Sequence, residues 1–232
     1  MLNIIYEDKY IIIINKQNNL IVNNILYKKN KTLVDLLNEY YPNIVNVERN
    51  GIIHRLDKNT TGLLVVAKTN MSYKFLINSF LKKKNIKEYI TLVSGLLISG
   101  GNINSYIKRD FKNKMKMKVS NNGKYSITHY RIIDKFNIFT LLKVILYTGR
   151  THQIRVHMSY INHPIIGDFK YGKNISIFDK SMNFIKKRNI NFNRQALHSS
   201  KLIIQHPVSN KFMHFYSEIP KDMMDLIKIL KK

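Results

Sequence analysis

One polar segment of the chain holds a single carboxylate between two cations, directly ahead of an apolar run. It reads His54-Arg55-Leu56-Asp57-Lys58-Asn59-Thr60-Thr61-Gly62, and the aliphatic residues Leu63 to Ala67 follow it. Such a run predicts a buried strand. A carboxylate at the junction of a loop and a rigid strand can be aimed at a substrate, so Asp57 is a candidate catalytic group. A surface ion pair with Arg55, or an Asp turn cap, is the structural alternative.

A second polar segment begins at a glycine turn and reads Gly149-Arg150-Thr151-His152-Gln153-Ile154-Arg155-Val156-His157-Met158. Its pattern predicts a helix that is capped near Thr151. Residues spaced four apart share a helix face, so one face would carry Thr151, His152, Arg155 and Ser159. That face would present one or two fixed cations to a substrate. Shorter polar groups follow at His163-Pro164-Ile165-Ile166-Gly167-Asp168, Ala196-Leu197-His198 and His206-Pro207.

The histidines and aspartates in these segments raise the alternative of a metal site, and the candidate ligands are His54, Asp57, His152, His157 and Asp168. His152 and His157 are five residues apart, however, which places them on different faces of a helix. No His-Glu-x-x-His spacing occurs, and the absence of cysteine excludes a cysteine-based zinc site. We therefore expect no metal and rank a metal-dependent phosphoesterase third among the functions considered.

The formal charge of +25, from 39 Lys and Arg against 14 Asp and Glu, indicates a polyanionic partner such as a nucleic acid. The chain has 31 Lys but only 8 Arg, and only two Ala, a composition typical of AT-rich coding. Part of the charge could therefore reflect nucleotide bias. Lysine cannot replace the planar fork of arginine at bidentate sites, so the arginines that remain in the polar segments are informative.

The apolar run Ile11 to Ile14 is too short for a signal-peptide core or a membrane span. We expect a protein of the cytoplasm.

The elements that must position these residues are a mixture of strands and helices, which predicts an α+β fold with flanking helices. We expect strands over 4–14 with a central turn, 88–97 and 139–147, a hairpin over 197–217, and helices over 32–41, 72–84 and from Pro220 onward. Lys112, Lys114, Lys116 and Lys118 alternate with other residues and predict a strand with one basic face. That face either contacts RNA or protects a sheet edge. Residues 174–193 are predicted to form a basic loop.

The ordered motifs resemble the RluA-type pseudouridine synthases, which isomerise uridine to pseudouridine in ribosomal or transfer RNA. The resemblance extends from Tyr6 to Pro220 and rests on His54 to Leu64, Lys87-Glu88-Tyr89, Gly149 to Met158, His163 to Asp168, and Leu197-His198 with His206-Pro207. The chain departs from the family pattern at Gln17 and Asn19, where proline and glycine are usual, and at Thr61, where serine is commoner. These departures concern local loop geometry.

The resemblance implies the roles of the candidate residues. Asp57 matches the catalytic aspartate, which either attacks the sugar or base, or stabilises the cationic sugar and removes a proton from it. Arg155 would pair with Asp57 and keep the carboxylate ionised. Tyr89 would stack on the uracil. Arg55, His54 and Arg150 would contact the RNA, with Arg55 filling the space that the flipped nucleotide leaves.

The resemblance also implies a mixed, mostly antiparallel central sheet with an active-site cleft, and no cofactor. It implies one catalytic domain over residues 1–232, without a separate N-terminal RNA-binding domain. The expected partner is large-subunit ribosomal RNA, with transfer RNA as the alternative within the class. A non-catalytic RNA-binding or ribosome-assembly protein is the alternative outside it. We expect a monomer that does not associate with a membrane.

Overall fold

The computed structural model describes residues 2–23 and 31–231. The contacts within the chain divide it into two compact units. The first contains Met1–Lys87 and Ser199–Glu218, and the second contains Glu88–His198 and Ile219–Lys232. That all 232 residues act as one catalytic domain stays a prediction.

The described ranges contain ten strands and six α-helices. In chain order these are β1 (Ile4–Glu7), β2 (Ile11–Lys16), α1 (Leu33–Tyr40), β3 (Thr61–Ala67), α2 (Asn70–Leu81), β4 (Ile86–Ser94), β5 (Gly101–Arg109), β6 (Met117–Ser120), β7 (Lys124–Phe136), β8 (Phe139–Leu146), α3 (Gln153–Tyr160), α4 (Phe169–Gly172), α5 (Ser176–Lys187), β9 (Leu197–Gln205), β10 (Phe212–Tyr216) and α6 (Lys221–Leu230). Two short 3-10 helices, Pro42–Asn46 and Glu48–Gly51, lie between α1 and β3.

The sheet of the first unit is built from the most apolar strands of the chain. β2 pairs antiparallel with β1 and with β3, and Ile11 to Ile14 are buried against both neighbours. Because both faces of β2 and β3 are covered, their sequences are apolar runs without alternation. β9 and β10 form an antiparallel hairpin in which Phe212 lies opposite Gln205. The strands predicted at 4–14 and the hairpin at 197–217 are confirmed.

The two helices of the first unit begin at side-chain caps. The Thr32 hydroxyl accepts a hydrogen bond from the Asp35 amide, and the Asp35 carboxylate accepts one from the Thr32 amide, so α1 starts with a capping box. Thr69 caps α2, which therefore begins at Asn70, before the predicted start at Ser72. It ends at Leu81, because Lys83 adopts a left-handed conformation with φ of 56°.

The second unit contains a second run of antiparallel strands. β7 pairs antiparallel with β8 and with β5, and β5 pairs antiparallel with the short β6. The last helix, α6, buries the four residues that its period predicts: Met223, Leu226, Ile227 and Leu230. The expected mixed, mostly antiparallel sheet with flanking helices is confirmed.

Three local predictions are wrong. Residues 111–116 form turns instead of a strand, and only Met117–Ser120 is extended, because Asp110 and Asn113 accept hydrogen bonds from the amides of Lys112 and Met115. The segment predicted as a basic loop contains α5, which buries Phe178, Ser181 and Ile185. α3 is capped at His152, next to the predicted cap, but Thr151 and His152 precede the helix and therefore do not lie on the helix face predicted for them with Arg155 and Ser159.

No helix in residues 2–23 and 31–231 is both long enough and apolar enough to cross a membrane.

Candidate active site

Asp57 opens a turn that leads into β3. Its carbonyl accepts a hydrogen bond from the Thr60 amide at 3.0 Å, and its side chain is half-buried. Gly62 then enters the strand with φ of 107°, and a Cβ there would lie 2.2 Å from the Ser199 carbonyl oxygen. Only glycine fits this approach of two backbones. The rigid strand therefore fixes the end of the turn that carries Asp57.

Lys16, at the end of β2, holds the other side of this turn. Its ammonium is buried and donates to the carbonyls of Gln17 at 2.9 Å, Leu20 at 2.9 Å and Lys58 at 3.0 Å. Buried cations require such compensation, and the contact to Lys58 spans 42 residues of sequence. Lys16 is a positioning residue that sequence reasoning did not assign. Its place close behind the four isoleucines of β2 was the available signal.

His54 anchors the segment ahead of Asp57. Its ring stacks on Phe80 at 5.3 Å between centroids, and its Nε2 accepts a hydrogen bond from the Val65 amide at 3.2 Å. Burial, and secondarily the charge of Lys87, lower the pKa of His54 to about 3. The ring is therefore neutral at physiological pH, with its proton on Nδ1. A direct contact of His54 with RNA stays a prediction.

Arg55 is exposed, and it makes no hydrogen bond or ion pair with any described residue. An exposed arginine without such contacts can bind a ligand, which the predicted role of Arg55 beside the flipped nucleotide requires.

Tyr89 lies in β4 and is 5% exposed. The strand is fixed by two segments of the second unit, since the Leu92 amide donates to the Ala196 carbonyl and the Leu92 carbonyl accepts from the Ile166 amide. The Thr91 hydroxyl also donates to the Ala196 carbonyl at 2.8 Å. Segments that are about 70 to 105 residues away in sequence thus hold the strand that carries Tyr89.

Arg155 is buried in α3 and forms a bidentate ion pair with Asp168. Its Nε donates to Oδ2 at 2.7 Å and its Nη2 donates to Oδ1 at 2.8 Å. Its guanidinium also lies over the ring of Tyr171, 5.0 Å from the centroid. Asp168 is 2% exposed, so each charge compensates the other away from solvent. Asp168, considered above as a metal ligand, is therefore a partner of Arg155.

Gln153 organises the turn ahead of α3. Its side-chain oxygen accepts from the Thr148 hydroxyl and the Arg150 amide, and its nitrogen donates to the carbonyl of Ile127 and the hydroxyl of Thr128. His152 precedes the helix in a left-handed conformation with φ of 56°. The side chain of Arg150 donates from Nε to the Tyr125 carbonyl at 3.2 Å. Arg150 thus has a structural contact, and its contact with RNA stays a prediction.

His157 lies inside the second unit, between the hydroxyls of Thr128 at 2.8 Å and Ser105 at 3.0 Å. Burial lowers its pKa to about 4. In the part of the chain that the structure describes, no three His, Asp or Glu side chains form a group that could hold a metal ion.

The structure brings Arg155, Asp168 and Tyr171 together in the second unit. Asp57, His54 and Arg55 lie in the first unit, and Tyr89, Arg150 and Arg155 in the second. The pairing of Asp57 with Arg155 stays a prediction.

Comparison with known proteins gives one consistent family. The model of the family described as RNA pseudouridylate synthase matches residues 10–160. The chain is 46% identical over 231 residues to ribosomal large subunit pseudouridine synthase D of Buchnera aphidicola subsp. Baizongia pistaciae, covering 100% of this chain and 73% of the relative. It is 41% identical over 236 residues to the protein of the same name from Escherichia coli, covering 99% and 71%.

Among solved structures, human RNA pseudouridylate synthase domain containing 4 matches with a TM-score of 0.77. The two chains are 24% identical, and the match covers 98% of this chain and 92% of the human one. At that identity, the likeness concerns the fold alone.

Proposed function

The chain belongs to the RNA pseudouridylate synthase family, and on that premise we propose that it isomerises uridine to pseudouridine in large-subunit ribosomal RNA. The observation that carries the proposal is the similarity over 99–100% of the chain, at 41% and 46% identity, to two proteins named ribosomal large subunit pseudouridine synthase D. The charge of +25 suits a polyanionic substrate.

The reaction breaks the glycosidic carbon–nitrogen bond, turns the uracil and joins it to the sugar through carbon. Nothing is oxidised and no group is imported, so the proposed reaction uses no cofactor. Asp57 supplies the carboxylate, either as a nucleophile towards the sugar or base, or as the group that stabilises the cationic sugar and takes a proton from it. The turn that carries Asp57 is held by Lys16 and Gly62, which supports a role that needs fixed geometry.

Arg155 is proposed to hold the Asp57 carboxylate ionised and oriented. Its rigid attachment supports this role, because Asp168 holds the buried guanidinium by two hydrogen bonds. A guanidinium that is fixed in this way keeps a defined orientation. Lysine, a point charge without a planar fork, could not be held by Asp168 and orient Asp57 at the same time.

Tyr89 is proposed to stack on the uracil, and Arg55 to fill the space that the flipped nucleotide leaves. The exposure of Arg55 supports this role. Arg150 is proposed to contact the RNA backbone from the turn before α3. His54 is proposed to belong to the RNA site beside Arg55, with a neutral ring that is anchored by the Val65 amide.

The decisive experiment incubates the purified protein with unmodified large-subunit ribosomal RNA and, separately, with unmodified transfer RNA, and maps pseudouridine in both. We expect pseudouridine in the ribosomal RNA. Modification of transfer RNA alone would favour the other substrate class, and binding without isomerisation would favour a ribosome-assembly protein. Activity that is unchanged by a chelator would dispose of a metal-dependent phosphoesterase. We propose that the enzyme acts as a monomer in the cytoplasm.

A further inference from the structure

The hydroxyl of Tyr171 connects two parts of the second unit that are distant in sequence. It accepts a hydrogen bond from the Met117 amide at 2.9 Å, at the start of β6, and lies 2.6 Å from Nδ1 of His152. A phenol that accepts from Met117 still has its own proton to donate to an unprotonated Nδ1. One hydroxyl therefore joins the end of the β5–β6 hairpin to the residue that precedes α3.

His152 needs such a contact. Its φ of 56° is uncommon for a residue with a side chain, and a conformation of this kind persists only where the surroundings hold it. The ring of Tyr171 meets the ring of His152 edge to face at 5.5 Å, which adds a second contact between the same residues. His152 directly precedes α3, so its conformation sets where the helix begins and thereby where Arg155 lies.

The same tyrosine contacts Arg155 directly. The guanidinium lies 5.0 Å from the centroid of the Tyr171 ring, on a side chain that Asp168 already holds by two hydrogen bonds. Tyr171 is itself fixed at the backbone. Its amide donates to the Asp168 carbonyl at 3.2 Å, and its carbonyl accepts from the Ser159 hydroxyl at 2.8 Å. The ring thus forms a fixed support for the cation.

We propose that Tyr171 is a positioning residue for Arg155, which sets the guanidinium through its ring and couples it to the β5–β6 hairpin through its hydroxyl. The inference rests on the proposed function, in which Arg155 orients the catalytic carboxylate. The hairpin end carries lysines, and a ligand that moves it would act on Arg155 through the Met117 amide. Tyr171 does not touch the reacting atoms in this proposal and acts through Arg155.

The test compares Tyr171→Phe, which removes the hydroxyl but keeps the ring, with Tyr160→Phe as the matched control. Tyr160 ends α3, and its side chain is exposed. Two measurements that do not need activity come first: hydrogen exchange of the Met117 amide and the Arg155 Nε resonance. We expect faster exchange and a shifted resonance in Tyr171→Phe, and neither in Tyr160→Phe. Unchanged values for both would overturn the proposal, whether or not the wild-type protein makes pseudouridine.

The third measurement is turnover of uridine-containing RNA. We expect kcat to fall roughly three- to tenfold in Tyr171→Phe with KM nearly unchanged, as for the removal of one or two hydrogen bonds. In an Arg155→Lys background the same change should have no further effect on kcat, because the two residues act through one group. Effects that multiply, or a change confined to KM, would contradict a role through Arg155.

Discussion

At the scale of single residues, the fixed positions of Asp57 and Arg155 are the basis of the proposed chemistry. Each is held by contacts that reach across the sequence: Lys16 to the turn of Asp57, and Asp168 to Arg155. Both supporting residues are buried, so they act without competition from solvent.

Replacing Asp57 with Asn keeps size and hydrogen bonding but removes the charge. We expect isomerisation to fall by roughly a hundred- to ten-thousandfold, the range for removal of a catalytic acid or base, with affinity for RNA largely retained. An assay of pseudouridine formation in the RNA and a filter-binding measurement of RNA affinity, made on the same preparation, check both parts. Substantial turnover by Asp57→Asn would show that another group performs the chemistry.

Arg155→Lys keeps the charge but removes the bidentate contact with Asp168. We expect most of the activity to disappear and the free energy of unfolding to decrease by roughly 1–3 kcal/mol, because one buried carboxylate oxygen is left without its donor. Arg150→Lys is the control and should be milder in both assays, since the Arg150 side chain is held by a hydrogen bond to a backbone carbonyl and not by a buried ion pair. The reverse order would mean that Arg150, and not Arg155, orients the carboxylate.

At the scale of elements, the β5–β6 hairpin presents Lys112, Lys114 and Lys116 from the segment between its strands, and only Lys118 from a strand. Lys112 and Lys114 are exposed beside Phe111, whose side chain is 80% exposed, and Lys118 pairs with Asp110 at 3.2 Å. Cations interleaved with exposed aromatic rings suit a nucleic acid. A sheet edge protected by lysine, the alternative function of these residues, does not explain those that lie in the turns.

Neutralising Lys112, Lys114, Lys116 and Lys118 together should flatten the salt dependence of RNA binding. The log–log slope changes by roughly 0.7 to 0.9 for each phosphate that the protein no longer neutralises. Turnover of bound substrate should barely change, because none of the four is proposed to reach the base. The matched control neutralises four exposed lysines outside the hairpin, Lys9, Lys211, Lys221 and Lys228. If the slope is the same in all three proteins, the four lysines do not contact RNA, and Arg55, Arg150 and the lysines of α5 are the next candidates to test.

At the scale of the whole molecule, two histidines with lowered pKa values make stability depend on pH. The pKa of His54 is about 3 and that of His157 about 4, both through burial, whereas the unfolded chain protonates histidine near 6.5. Between pH 6.5 and about 4 the unfolded state therefore binds more protons than the folded state, and stability falls as pH falls.

We expect the free energy of unfolding to fall between pH 6.5 and about 4, each histidine contributing a slope of up to about 1.4 kcal/mol per pH unit. Urea denaturation of the wild-type protein at several pH values measures the slope. His157→Gln should reduce the slope by up to about 1.4 kcal/mol per pH unit, the contribution of one proton. His214→Gln, a change at an exposed position of β10, should leave the slope unaltered. A slope that is unaffected by His157→Gln would mean that His157 is protonated in the folded protein.

Much of this architecture is readable from local sequence. The aliphatic runs predict β2 and β3, the Thr32–Asp35 pair predicts the start of α1, and the period of α6 predicts its buried face. These features depend on neighbours within a few residues, where periodicity, caps and turn chemistry act. The ordered polar motifs likewise predicted the family, because the residue types and their order are themselves the signal.

Other features depend on contacts between segments distant in sequence, which no local pattern encodes. α5 lies in a stretch rich in lysine and asparagine, 174–193, and its burial of Phe178 and Ile185 depends on packing against the rest of the unit. The neutrality of His54 comes from burial and from the nearby charge of Lys87, and the pairing of Asp168 with Arg155 comes from the turn at Gly167, whose φ is 75°. Sequence alone thus determined the family and the candidate catalytic residues. Tertiary structure decided which charges are compensated, because burial and long-range pairing exist only in the folded chain.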